Sequence, residues 1–469
     1  MTQAAHPPLA AKPMAWAMLA VMALELAARS FGAAWPVLDW AAWLAMGAVV
    51  LIAAPRFGLR EIYLVGLCVI LTALVLWRAP APLQVLHAAL DQGGFLMAFI
   101  LFLSLLYEAA ASSPAVAELG RTLTRQPPGR RYYALFVGTG ALSVLFNLGV
   151  TSFLVPLIQR GIVSARPNDP LNPVRERRQV SAMLRGFAWA VIWSPTAMAP
   201  LALIELIDGV DRHRWMLAGM VMFCAIMALG AAEDWLRHRH LRGQSRAIAP
   251  LPFPTSAALR FLAACGWLLA LSLGFAWLSG DTIVFGLLVG CWPMVVGWLY
   301  VQARGGGAQL GARLRQITGA SLPQSANIAV ALGASGFVGR AGASLLPAQA
   351  LADSLGLAQM PDWMLLTLLP ITIACLSLLA LSPIIMAVFF GSLFGALPVM
   401  PADPTLLALS ISCGWALSMT FSPFATVVLM ISRVGNIPAL RLTWGWNLVF
   451  SLMVVPFLAL SFGMLTGWR

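Results

Sequence analysis

Charge is scarce in this sequence: only 10% of its 469 residues are charged, and a single lysine, Lys12, leaves the rest of the basic set to arginine. With 60% hydrophobic residues and a mean hydropathy of +0.86, the composition excludes a soluble globular domain. The six cysteines are scattered without close pairs, so neither a disulfide framework nor a zinc site is expected. The five histidines fall at the amino terminus, near helix ends or in loops, which argues against a histidine metal site. No Gly-rich loop ending in Lys-Ser/Thr is present, which excludes an ATP-driven pump within this chain. The longest polar stretch, about 160–185, is too short for a nucleic-acid module despite a formal net charge of +12. A membrane-embedded glycosyl or acyl transferase would need an acid or base in a cavity, or a sizeable aqueous loop. The sequence shows neither, so no enzyme is expected. The first apolar segment lacks a small-residue cleavage site after it and reads as a retained helix.

What is present is a succession of membrane-length apolar segments, at about 14–34, 37–54, 61–78, 92–112, 132–159, 181–208, 214–232, 258–278, 282–303, 322–350, 364–398, 404–432 and 442–466. Arginines cluster between them. If every segment crossed, with the amino terminus inside, the arginines from 160 to 315 other than Arg212 and Arg214 would lie outside, against the positive-inside rule. If 132–159 and 364–398 instead enter and leave on one face, those clusters become cytoplasmic. Both segments carry breakers suited to a hairpin tip: Gly138, Gly140, Asn147, Gly149 and Pro156 in the first, Pro370, Ser382-Pro383, Gly391 and Gly395 in the second. The first is flanked by arginines and the second by Asp353, Asp362 and Asp403, which gives them opposite orientation.

A second pattern is a duplication. Shifted by 228, the stretch 186–197 superposes on 414–425, with Gly, Ala, Ser, Pro and Ala identical at 186, 188, 194, 195 and 197. Trp193 and Phe421 precede the two Ser-Pro steps. A proline inside a helix donates no hydrogen bond and clashes with the carbonyl four residues back, here Val191 and Met419. In hydrocarbon such a break is tolerated where it is buried in protein or lines a wet cavity.

The sequence therefore predicts an all-α polytopic membrane protein with about 11 transmembrane helices and two re-entrant hairpins, in two inverted repeats with broken helices. The expected parts are an amino-terminal helix (1–34), a first repeat (35–246; hairpin 132–159, broken helix 181–208), a cytoplasmic linker (247–257) and a second repeat (258–469; hairpin 364–398, broken helix 404–432). The arginine distribution places the amino terminus in the cytoplasm, as for a multi-pass inner-membrane protein.

Candidate solute or ion ligands are Asn147, Thr151 and Ser152 at the first tip and Ser382 with Pro383 at the second. Ser194, Pro195 and Thr196 mark the first break, and Ser418, Thr420, Ser422, Pro423 and Thr426 the second. Each hydroxyl taken alone is explained by bonding to its own helix or a neighbour. Arg340, inside an apolar segment, is either a further ligand or a side chain snorkelling to the interface. No acid lies in a tip or break, which disfavours a bare Na⁺/H⁺ antiporter. Half-helix amino termini instead suit an oxyanion, although a neutral hydroxide such as arsenite also fits an uncharged polar pocket. Coupling would use H⁺ through Glu108 or Glu205, or Na⁺ held by backbone oxygens. No other cofactor and no metal are expected, and the partners are a small-molecule solute and the lipid bilayer.

With hairpins, breaks and duplication together, nearly the whole chain resembles the ion transporter superfamily, which includes divalent anion/sodium symporters and arsenite permeases. Its hairpin tips often carry Ser-Asn-Thr, and its breaks a Ser/Thr-Pro-Pro-Asn-like step. Asn147 and Pro156 match the first tip, Ser382 the second, and Ser194-Pro195 and Ser422-Pro423 the breaks, without the second Pro or the Asn. The resemblance implies an elevator-type secondary carrier, often a homodimer.

Overall fold

The computed structural model describes residues 11–31, 34–165, 167–241, 254–303, 307–357, 359–379 and 381–468. In chain order, α1 (Ala11–Phe31), α2 (Val37–Ala53), α3 (Leu59–Arg78) and α4 (Pro82–Ala111) are long and apolar. α5 (Pro114–Thr124) is short, and α6 (Pro128–Phe146) and α7 (Gly149–Ala165) follow as a pair. α8 (Asn172–Ala190) and α9 (Met198–Leu206) flank the first Ser-Pro step, ahead of α10 (Arg212–His238). α11 (Thr255–Ser279), α12 (Ile283–Gln302), α13 (Gly307–Gln316) and α14 (Ala326–Ser344) come next, with π and 3-10 turns over Ile317–Ser321 and Leu322–Ser325. The chain closes with α15 (Ala348–Ser354), α16 (Asp362–Leu376), α17 (Pro383–Gly395), α18 (Pro404–Phe421), α19 (Thr426–Gly435) and α20 (Leu448–Thr466).

The protein is all-helical among the described residues. There, 10 helices are long and apolar enough to cross a membrane, or 11 if the pair bent by 71° after Ser344 counts as one span. The expected linker 247–257 lies outside the described residues up to 253, and α11 begins inside it.

Several boundaries differ from the sequence reading. The segment 132–159 is two helices with one break, at Asn147-Leu148, where Asn147 adopts φ 45°. Gly138 and Gly140 break nothing. They make room for neighbours, since a methyl at Gly138 would overlap Leu123 and one at Gly140 would lie 2.9 Å from the Phe223 ring. Pro156 and Pro370 sit inside α7 and α16. In the second pair the interruption falls after the 3-10 turn Ser377–Leu379, with Ser382 at the N-cap position of α17, its hydroxyl unbonded to the helix, and Pro383 at the first position, where a missing N–H costs nothing. α8 starts nine residues before the apolar segment expected at 181, because its first half is arginine-rich.

The chain forms two compact units, and they are not the two sequence halves. One holds Met1–Pro114 and Arg260–Leu346, the other Ala115–Leu259 and Pro347–Arg469. In the first, α4 and α14 meet through glycines: a methyl at Gly93 would lie 3.0 Å from the Gly333 carbonyl, and one at Gly336 2.8 Å from that of Gln92. Backbones approach this closely only where side chains are small. The same unit buries Glu25 of α1, whose carboxylate occupies the space beside Gly94, with Arg29 Nε 3.9 Å away.

Candidate functional site

Thirteen of the fourteen candidate residues lie in the second unit, and Arg340, on α14, lies in the first. The two Ser-Pro steps break their helices in the same way. Ser194 N–H bonds Ala190 O at 2.9 Å and Ser422 N–H bonds Ser418 O at 2.8 Å. Ala197 N–H then returns to Ser194 O at 3.2 Å, as Ala425 N–H does to Ser422 O at 3.3 Å. The next helix opens from extended residues, Ala197 (φ −72°, ψ 141°) and Ala425 (φ −60°, ψ 136°). Every one of these pairs is related by the shift of 228 found in the sequence.

Each break is also tied to its own helix pair through a hydroxyl. Thr196 Oγ1 donates to Val144 O at 2.6 Å, near the end of α6. Ser422 Oγ donates to Ser377 O at 2.9 Å, just past α16. Both acceptors belong to the terminal carbonyls a helix leaves without partners. Ser194 Oγ stands 3.3 Å from Thr196 Oγ1.

Packing then crosses the two sets. α6 and α7 lie on α8 as α16 and α17 lie on α18. α7 packs on α19, where Thr151 Oγ1 reaches Met430 Sδ at 3.4 Å and Gln159 Nε2 donates to Gly435 O at 2.7 Å. α17 packs on α9, and a methyl at Gly395 would overlap the Leu206 carbonyl. The helices that begin at interruptions, α7, α9, α17 and α19, are therefore all engaged in one reciprocal arrangement. Their amino termini carry N–H groups that the helices leave unpaired.

The candidates divide by what their side chains already do. Ser418 Oγ bonds Trp415 O at 2.7 Å within its helix, and Thr420 Oγ1 faces Ser451 of α20 at 3.0 Å, so both serve helix packing. Asn147 Oδ1 accepts from Leu148 N–H at 2.8 Å and holds the tip in its left-handed turn. Ser152, Ser382 and Thr426 make no side-chain hydrogen bond among the described residues and keep their hydroxyls available. The buried indole N–H groups of Trp189 and Trp193, beside the first break, also have no acceptor there.

The Thr196 bond carries a direct expectation. Thr196→Val leaves the part-buried Val144 carbonyl without its donor and should lower unfolding free energy by about 1 kcal/mol, whereas Thr196→Ser keeps the bond. Thermal unfolding of both variants checks this; equal loss in the two would mean that the methyl, not the hydroxyl, matters.

One feature was missed in the sequence because it resembled a topology signal. Arg185, counted there among flanking arginines, is 2% exposed. Its Nε donates to Asn447 Oδ1 at 2.8 Å, its Nη1 to Glu233 Oε2 at 3.0 Å, and its guanidinium lies 4.1 Å over the Phe450 ring. Asn447 ends a π-helical turn, Arg441–Asn447, at the start of α20. Arg237 completes the ion pair on Glu233, and Arg178 grips Asp234 through Nε and Nη2. The adjacent acids Glu233-Asp234, just past an apolar segment, were the signal for a buried partner two helices earlier.

The chain is thus an all-helical membrane protein whose second unit carries paired interrupted helices. Among solved structures, the chain is similar to the crystal structure of the Alcanivorax borkumensis YdaH transporter, described as revealing an unusual topology. The TM-score is 0.59 at 15% identity, over 87% of this chain and 98% of that one. At that identity the likeness is one of fold. No family model matches the chain, and no curated protein does.

Proposed function

We propose that the chain is a secondary active transporter of a small anionic solute, of the ion transporter superfamily type, with its binding site at the two breaks and the two interrupted pairs of the second unit. The observation that carries this reading is the reciprocal packing of α7, α9, α17 and α19 in one unit, each starting at an interruption. Partial positive charge at helix amino termini favours an anion. The hydroxyls of Ser152, Ser382 and Thr426 and the indole N–H groups of Trp189 and Trp193 add uncharged donors. Arg340, a further candidate ligand, belongs to the other unit.

The repetition of backbone bonds at an interval of 228 supports two inverted repeats with re-entrant hairpins. An elevator-type motion, in which the second unit carries the site across the inner membrane, fits a site built within a single compact unit. The carrier works as a homodimer with its amino terminus in the cytoplasm. Coupling to a proton would run through Glu205, which lies on α9 in that unit, in preference to Glu108 on α4. Sodium held by backbone oxygens is the alternative coupling ion.

Purified protein in proteoliposomes should accumulate small carboxylate or oxyanion solutes under an imposed pH, Na⁺ or voltage gradient. Pro195→Ala and Pro423→Ala should each reduce uptake at least tenfold while leaving folding largely intact, since each restores a helical hydrogen bond at a break. Exchange of Na⁺ for H⁺ with no anion present would overturn the anion reading. Normal uptake by both proline variants would remove the breaks from the mechanism.

A further inference from the structure

A cavity of about 70 Å³ opens in the second unit where the start of α8 meets α6 and the end of α10, lined among others by Arg131, Tyr132, Arg175, Arg178, Gln179 and Asp234. We propose that it binds a phosphate group, that of an anionic phospholipid or a free phosphate. Gln179 lies 15 residues before Ser194, about 22 Å along a helix, so this is a separate place from the solute site.

Three guanidinium groups line the cavity against one carboxylate. Counting Asp169 as well, which pairs with Arg175 at 2.7 Å, a net positive charge remains. The carboxylates hold Arg175 and Arg178 without exhausting them. Arg178 spends Nε and Nη2 on Asp234, and its Nη1 has no acceptor among the described residues. Arg175 spends Nη1 on Asn172 Oδ1 and Nη2 on Asp169, and its Nε likewise has none. A guanidinium offers five N–H donors in a fixed plane, so fixing one edge on a carboxylate orients the other.

Gln179 adds an uncharged donor to the same cavity. It is only 4% exposed, it lines the cavity, and its amide has no hydrogen-bond partner among the described residues. Its amide faces the accessible space of the cavity, where the oxygen of a ligand can accept from it. The volume is several times the roughly 10–15 Å³ that one water requires, on the scale of a single tetrahedral oxyanion and too small for a nucleotide. Basic pockets between transmembrane helices at the membrane face are suited to anionic lipid headgroups.

The test uses the full-length protein in neutral detergent, titrated separately with phosphatidylglycerol, phosphatidylcholine and inorganic phosphate while thermal unfolding is followed. Phosphatidylglycerol should raise the Tm by on the order of 5 °C near saturation, and phosphatidylcholine should not. A rise with inorganic phosphate alone would support the site and assign the free anion as its source. Gln179→Met, which keeps the packing, and Arg131→Gln should each shift the titration midpoint about tenfold higher. Equal response to the two lipids with none to phosphate would overturn the proposal. So would variants that titrate like the wild type.

Discussion

Arg185→Met should destabilise the second unit by about 3–5 kcal/mol, and Arg185→Met combined with Glu233→Met should recover more than half of that loss. The first substitution strips Glu233 Oε2 and Asn447 Oδ1 of their donors in a place where water does not reach: the side chains of Arg185 and Glu233 are 2% and 7% exposed. Arg237 still contacts Glu233 from the other side, at 2.6 Å, but is itself 29% exposed and neutralises only one oxygen. In the double variant the remaining arginine can turn to solvent, and two methionines fill a space already floored by Phe450. A double-mutant cycle on thermal or denaturant unfolding measures the coupling. Additive losses would mean that the network is not one unit. The same cycle tests whether the π turn at Asn447 depends on Arg185, because a freed Asn447 would relax it toward α-helix.

Gly186→Ala should destabilise by the opposite route, through overpacking. A methyl at Gly186 would overlap the Phe136 carbonyl of α6, and one at Gly219 would overlap the Ile192 carbonyl of the first break. Both obstacles are backbone, so no rotamer change relieves them. The helices must part, at a cost of about 1–3 kcal/mol or more for each added methyl. The two variants should nonetheless differ in readout. Gly186→Ala separates α6 from α8 and should mainly lower the Tm, whereas Gly219→Ala pushes α10 against the break and should depress uptake more than stability. Gly161→Ala on α7, where a methyl meets nothing within 4 Å, is the control. It should be neutral or stabilising by up to about 1 kcal/mol, as helix propensity alone dictates. A Gly219→Ala protein with wild-type uptake would show that α10 does not hold the break in its working shape.

Much of the local structure follows from the sequence alone. Ser194-Pro195 and Ser422-Pro423 mark helix breaks because proline lacks an N–H, although Pro156 and Pro370 stay within their helices. The hydrogen bonds at the two breaks repeat at the interval of 228 because the residues do. Membrane-length apolar runs likewise made the all-helical class legible, since a bilayer forces backbone groups to pair within their own segment. The interruption near Asn147 was legible as well, although Gly138 and Gly140 proved to be packing residues and not breakers.

What only the tertiary structure decided is which segments share a unit. Sequence order suggests two successive halves, but the compact units each take part of both, so that α7 meets α19 and α17 meets α9. Thirteen candidates thereby fall in one unit and Arg340 in the other, and Ser418 and Thr420 are committed to helix packing. Arg185 shows the reason most plainly. A positive charge at the edge of an apolar run has the same sequence signature whether it orients a helix at the membrane face or is buried against a carboxylate. Only the position of Glu233, 48 residues away in the chain, distinguishes the two.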